Sequence, residues 1–160
     1  MIQERARLLV SSILLTGLVA ITGCTRSSEP PADPGNVVAV YKKASCGCCT
    51  AWVKYLRQAG FSVDVHELGD LGLSKKRFGI PAAMGSCHTA EAGGYFVEGH
   101  VPADDIKRLL RERPDAKGLT VPGMPAGSPG MEVPSGKIEP YDVLLVSKDG
   151  TTSVYAHHGG

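Results

Sequence analysis

Net charge is almost absent from this 160-residue sequence, which sets 17 Lys and Arg against 16 Asp and Glu for a formal +1. A basic face would normally show in that sum, so nucleic-acid binding has no electrostatic support. Internal repeats are missing as well. The apolar run Leu8 to Ile21 holds ten Leu, Ile, Val or Ala among fourteen residues, short of the roughly twenty that a membrane-spanning helix needs. Glycine and proline, at 20 and 11 residues, exceed the average but stay below the level that argues for a disordered or collagen-like chain. The length fits one small domain with a loop-rich stretch. There are five cysteines, an odd number that needs an explanation in an exported protein.

The N-terminus supplies that explanation. Arg5 and Arg7 ahead of the apolar run make the charged and apolar regions of an export signal, and Ile21-Thr22-Gly23-Cys24 resembles the bacterial lipobox, in which cleavage precedes a cysteine that then carries lipid. Residues 1–23 are therefore expected to be a lipoprotein signal peptide, with Cys24 as the lipidated residue. Residues 24–36, rich in Ser, Pro and small polar residues, suit a flexible tether. Removing 23 of the 160 residues leaves 137, with 15 basic and 15 acidic side chains. The expected location is the periplasm, anchored by lipid to the membrane, and Thr25 after the cysteine favours the outer membrane by resemblance to lipoproteins of two-membrane bacteria.

The mature chain reads as α/β. Val37 to Tyr41 is a β-branched run of the kind expected for a strand buried on both faces. Trp52, Val53, Leu56 and Ala59 fall at helical spacing over Thr50 to Ala59, with Gly60 at the end. Phe61, Val63 and Val65 alternate with polar residues as in a half-exposed strand. A short helix over Ser74 to Phe78 ends at Gly79, Ile80-Pro81 forces an extended step, and Tyr95-Phe96-Val97 reads as a strand. Pro102, Asp104, Asp105, Ile106, Leu109 and Leu110 signal a helix stopped by Pro114. The stretch 118–140 has five Gly and five Pro, too many for a regular element, and a hairpin of Tyr141–Ser147 and Thr151–Ala156 closes the chain around Asp149-Gly150. This order is that of a small thioredoxin-like domain with a Gly/Pro/Met-rich loop.

Cys46-Gly47-Cys48-Cys49, at the junction of the first strand and helix, contains a C-x-x-C, a C-x-C and a vicinal pair. Cysteines at a helix N-terminus have lowered thiol pKa values, which suits a nucleophile or a metal ligand. A third adjacent thiol offers a dithiol oxidoreductase competing disulfides, whereas a soft metal ion gains from every thiolate. Lys42 and Lys43 upstream read as a solvated basic pair. Cys87 with His88, soon after Ile80-Pro81, can reach the cluster in such a fold. Metal or thiol redox chemistry, a fixed disulfide pattern and structural zinc all remain open, although zinc commonly takes two C-x-x-C pairs and only one is present. Met124 and Met131 lie in the turn-rich loop, and thioether with thiolate donors favours monovalent copper. His100, after Gly99 at a strand end, is a possible ligand. His66 reads as a surface residue, and His157 and His158 as an exposed tail.

Tyr41-Lys42, Cys46-Gly47-Cys48-Cys49 with Trp52, Ser86-Cys87-His88-Thr89, Gly99-His100-Val101-Pro102 and Val121-Pro122-Gly123-Met124-Pro125 through Gly130-Met131-Glu132 occur in order across residues 37–157. Together they resemble the CopG-like periplasmic copper-resistance family, long described as a domain of unknown function. The resemblance implies a thioredoxin-like, copper-binding domain over 37–158, with Cys46, Cys48, Cys49 and Cys87 as copper ligands and His88, Met124 and Met131 as further candidates. It implies copper ions and other periplasmic copper-handling proteins as partners, and sequestration of Cu(I) with interconversion of Cu(I) and Cu(II). Two alternatives stand beside it: a thiol-disulfide oxidoreductase using Cys46 and Cys49, and a binding module stapled by zinc or disulfides.

Overall fold

The β-branched run at Val37 forms the strand from which the sheet extends in both directions. The structure is a computed structural model that describes residues 36–159; the expected signal peptide, Cys24 and the expected tether up to residue 35 lie outside the described residues. β1 (Val37–Lys42) pairs in parallel with β2 (Ser62–Glu67) and antiparallel with β3 (His88–Ala92). Side chains alternate across a strand, so Val38, Val40 and Lys42 share a fully buried face while Val37, Ala39 and Tyr41 share a more open one. The expected burial on both faces is thus corrected. The second face is covered locally by the short α2 (Gly72–Phe78), whose Phe78 ring centres 5.8 Å from that of Tyr41.

Among the described residues the sheet has seven strands in the order β2-β1-β3-β4-β5-β6-β7. Its remaining members are β4 (Tyr95–Glu98), β5 (Ala116–Thr120), β6 (Tyr141–Ser147) and β7 (Thr152–His158). α1 (Gly47–Gln58) links β1 to β2, and α3 (Ala103–Glu112) links β4 to β5, each joining a parallel pair as parallel geometry requires. Their apolar faces, Trp52, Val53 and Leu56 on α1 with Ile106 and Leu109 on α3, meet Val38, Val40, Ala90, Val97 and Leu119 in a single core. Each of these larger side chains contributes about 1.5–3 kcal/mol by leaving water. The opposite face of β3 and β4 carries the register pair Thr89 and Glu98, against which α2 sets Lys75.

α3 follows its signals, with Asp104 and Asp105 in the first turn facing the positive end of the helix dipole and left-handed Arg113 (φ 52°) closing it before Pro114. Pro102 takes the N-cap. Other elements depart from expectation. The strands β3 and β5 have no apolar alternation to announce them. The stretch 118–140 begins as strand, because Gly118 to Thr120 complete β5, and a Cβ at Gly118 would overlap the Phe96 carbonyl. Only 121–140 is loop, and it is internally bonded: the Gly127 amide donates to the Met131 carbonyl at 2.7 Å and the Glu139 amide to Ala126 at 2.9 Å. The β6–β7 hairpin turns through Lys148, Asp149 and Gly150 rather than through two residues, since the Ser147 amide bonds the Thr151 carbonyl at 2.9 Å. Its second strand continues to His158, so His157 and His158 belong to the sheet and not to a tail. His157 Nδ1 lies 2.6 Å from Asp142 and His158 Nε2 lies 2.7 Å from Asp105.

Candidate metal centre

The cysteine cluster is built by the start of α1. That helix begins at Gly47, three residues before the expected Thr50, because Cys46 acts as its N-cap. The Cys46 sulfur accepts from the Cys49 amide at 3.4 Å, and the Cys46 carbonyl accepts from the Thr50 amide at 3.2 Å. The sulfur fills the role that a Ser or Asp oxygen usually takes. Cys48 and Cys49 consequently sit in the first helical turn.

Cys46 and Cys49 form a disulfide, and Cys48 and Cys87 are free thiols. Cys87 arrives from the other side, at the residue before β3. Its sulfur lies 3.7 Å from that of Cys48, which in turn lies 3.5 Å from that of Cys46. All four sulfurs fall within 4.8 Å of one another. Cys49 is buried while the other three are partly exposed. Burial, and then the neighbouring Cys48, push the Cys87 thiol up to about 11. Without a metal it therefore keeps its proton, and a bound cation has to displace that proton.

Two imidazoles complete the surroundings. Cys87 Sγ is 3.2 Å from His100 Nε2 and 3.4 Å from His88 Nδ1, and these three residues form a second set within 4.8 Å. His100 Nδ1 is 2.8 Å from the Pro129 carbonyl. A carbonyl only accepts, so Nδ1 carries the proton and the Nε2 lone pair faces Cys87, the arrangement a metal-binding imidazole needs. Burial lowers the His100 pKa. His88 packs on Trp52, with ring centres 4.3 Å apart, and burial, then His100, then Lys75 hold its pKa down to about 3. Its Nε2 is buried with no hydrogen-bond partner. Both rings are thus neutral donors rather than cations.

The loop 121–140 closes over this region. Gly130 (φ +84°) approaches the first turn of α1 so tightly that a Cβ there would lie 2.7 Å from the Trp52 nitrogen and 2.8 Å from the Cys48 carbonyl. Ser86 Oγ donates to the Gly123 carbonyl at 2.6 Å, tying the loop to the Cys87 segment. Met124, beside Gly123, is 54% exposed, and Met131, beside Gly130, is partly buried. A cleft of about 370 Å³ lined by Lys43, Ser45, Cys46, Lys75, Ser86 and Cys87, among others, opens onto the sulfurs. A larger concavity of about 840 Å³ lies at the C-terminal hairpin, where both histidines already bond carboxylates.

Of the sequence candidates, Cys46, Cys48, Cys49, Cys87 and His88 come together, and Cys24 lies outside the described residues. His100, a possible ligand from its place at a strand end, joins them because β3 and β4 are antiparallel neighbours. Lys42 is not a solvated cation. Its side chain is buried, with Nζ 3.0 Å from Glu67 and from the Lys43 carbonyl, while Lys43 is exposed. His66 lies at the surface, stacked on Tyr41. Glu98, Lys75 and Pro129 carried no signal in the sequence, since their roles depend on contacts between distant segments.

The family model described as "Protein of unknown function, DUF411" matches residues 84–131, the span holding Cys87, His88, His100 and the methionine loop. No curated protein matches. Two solved structures, described as copper resistance protein CopG in form 1 and form 2, are each 48% identical with a TM-score of 0.73. They cover 78% and 76% of this chain and 98% and 97% of their own. With that identity over nearly the whole of those relatives, the chain belongs to the CopG-like copper-resistance family.

Proposed function

We propose that this protein holds Cu(I) on Cys46, Cys48, Cys49 and Cys87, with the neutral imidazoles of His88 and His100 beside them, and interconverts Cu(I) and Cu(II) in copper resistance by exchanging one electron per ion with an external redox partner. The convergence of four sulfurs and two imidazoles around Cys87 carries this reading. Thiolate and imidazole donors favour copper over hard cations, and relatives described as copper resistance proteins support the same choice. Met124 and Met131 act as outer donors on the loop that Gly130 docks against α1. The succession β1-α1-β2, then antiparallel β3 and β4, then α3 supports a thioredoxin-like reading of residues 37–158. The export signal and lipobox support a periplasmic lipoprotein anchored through Cys24 to the outer membrane, exchanging copper with other periplasmic copper-handling proteins. Among the described residues, no helix is long and apolar enough to cross a membrane. The Cys46–Cys49 disulfide has to be reduced before all four sulfurs can bind. In a Cu(I) titration of the reduced protein, binding is expected to be lost when Cys46, Cys48 and Cys49 are replaced by Ser. Equal binding by that variant overturns the proposal.

A second reading rests on the disulfide itself. Cys46 is partly exposed and Cys49 buried, so an attacking thiolate reaches Cys46 first, as in thiol-disulfide exchange. That reading requires the metal-free protein to catalyse reduction of a test disulfide, and absence of turnover removes it.

A further inference from the structure

We infer that Glu98 is a positioning residue that fixes Cys87 for metal binding. Glu98 is fully buried at the end of β4, where an isolated carboxylate would be strongly disfavoured. Its donors explain why it is tolerated. Oε1 accepts from the Ser86 amide at 2.5 Å and from Lys75 Nζ, and Oε2 accepts from Thr89 Oγ1 at 2.6 Å. Lys75 Nζ also donates to Thr89 Oγ1 at 3.1 Å. One carboxylate therefore grips the chain immediately before Cys87 and two residues after it, and ties both to α2. The segment it holds carries the sulfur that lies 3.7 Å from Cys48 and 3.2 Å from His100. Without that grip nothing else bonds the Ser86 amide among the described contacts, and the sulfur can leave the point where the two ligand sets meet. Groups that orient metal ligands from outside typically change affinity by about 10–100-fold when altered.

The copper arm of the test rests on the proposed Cu(I) function, whereas the alkylation arm does not. Glu98→Gln, in the mature full-length protein, is expected to lower Cu(I) affinity of the reduced form by about 10–100-fold in the wild-type background. In a Cys87→Ser background it is expected to lower affinity by no more than about twofold, because the effect passes through Cys87. Equal losses in both backgrounds, or none in the first, overturn the inference. In the metal-free protein with its disulfide intact, iodoacetamide labelling followed by peptide mapping is expected to shift the Cys87-to-Cys48 rate ratio at least about threefold. An unchanged ratio overturns the inference even if copper affinity falls. Should wild-type protein bind no Cu(I), the proposed function fails and the labelling ratio alone decides the placement of Cys87. If Glu98→Gln does not fold, Thr89→Val removes one donor with little change of shape and is judged by the same results.

Discussion

Cys87 is the atom-sharing point of the site, since its sulfur belongs to both the four-thiol set and the set with His88 and His100. Cys87→Ser is accordingly expected to cost more Cu(I) affinity than any other single thiol replacement, at least about tenfold or 1.4 kcal/mol. A competition titration with a chromophoric Cu(I) chelator checks this, and a larger loss in Cys48→Ser contradicts it. His88 raises a different point. In the metal-free fold its pKa is about 3, held down by burial first, whereas an unfolded chain titrates it near 6.5. Above about pH 6.5 the ring is neutral in both states and no penalty arises. Between about 6.5 and 3 the unfolded chain binds a proton that the fold refuses, so stability rises with pH and falls on acidification, by up to about 1.4 kcal/mol per pH unit. Urea denaturation of metal-free protein from pH 7 to 4.5 should show a steeper decline than His88→Gln does. Parallel curves would remove His88 as the cause.

At the scale of elements, the loop 121–140 is a structural part of the site and not a linker. Gly130 seats it on α1, and the adjacent Pro129 carbonyl sets the His100 tautomer. Gly130→Ala combines a left-handed backbone with two contacts under 3 Å to backbone atoms, so a destabilisation of about 1–3 kcal/mol is expected, accompanied by weaker Cu(I) binding. Denaturant midpoints and the chelator competition measure the two, and a variant with unchanged midpoint would show that the loop does not need this approach. The same elements show what a sequence can reveal. α3 and the β6–β7 pair were legible because Pro102, the early acids and the spacing of Ile106 and Leu109 are local signals. β3 was not, because His88-Thr89-Ala90-Glu91-Ala92 buries polar and small residues that have no apolar period. β5 was hidden by Gly118, a residue selected by the nearby Phe96 carbonyl rather than by a turn. The cysteine cluster was visible in the sequence and His100 could be named there as a candidate, while the contacts that place His100, Glu98 and Pro129 depended on pairings across the fold.

For the molecule as a whole, the chemistry of the site and the stability of the domain are coupled. The disulfide closes a short loop running from Cys46 through Gly47 and Cys48 to Cys49, which in the chain-entropy account is still worth about 2 kcal/mol. Reduction removes that constraint and leaves four thiols close together beneath the loop. On the proposed copper reading, an ion held by α1 and by the Cys87 segment would supply a cross-link of another kind, joining elements that the sequence separates by 38 residues. Binding to the folded state alone adds about 2.7 kcal/mol when the free ion stands a hundredfold above its Kd, or about 10 °C for a domain of this size. Three thermal midpoints follow in order. The reduced, metal-free protein should melt lowest, the disulfide form some degrees above it, and the reduced Cu(I)-loaded protein highest. Replacing Cys46 and Cys49 together by Ser should abolish the rise on oxidation and most of the rise on loading. Calorimetry of the three states checks the order, and a Cu(I)-loaded midpoint equal to that of the reduced, metal-free protein would mean that the four sulfurs do not act together on one ion.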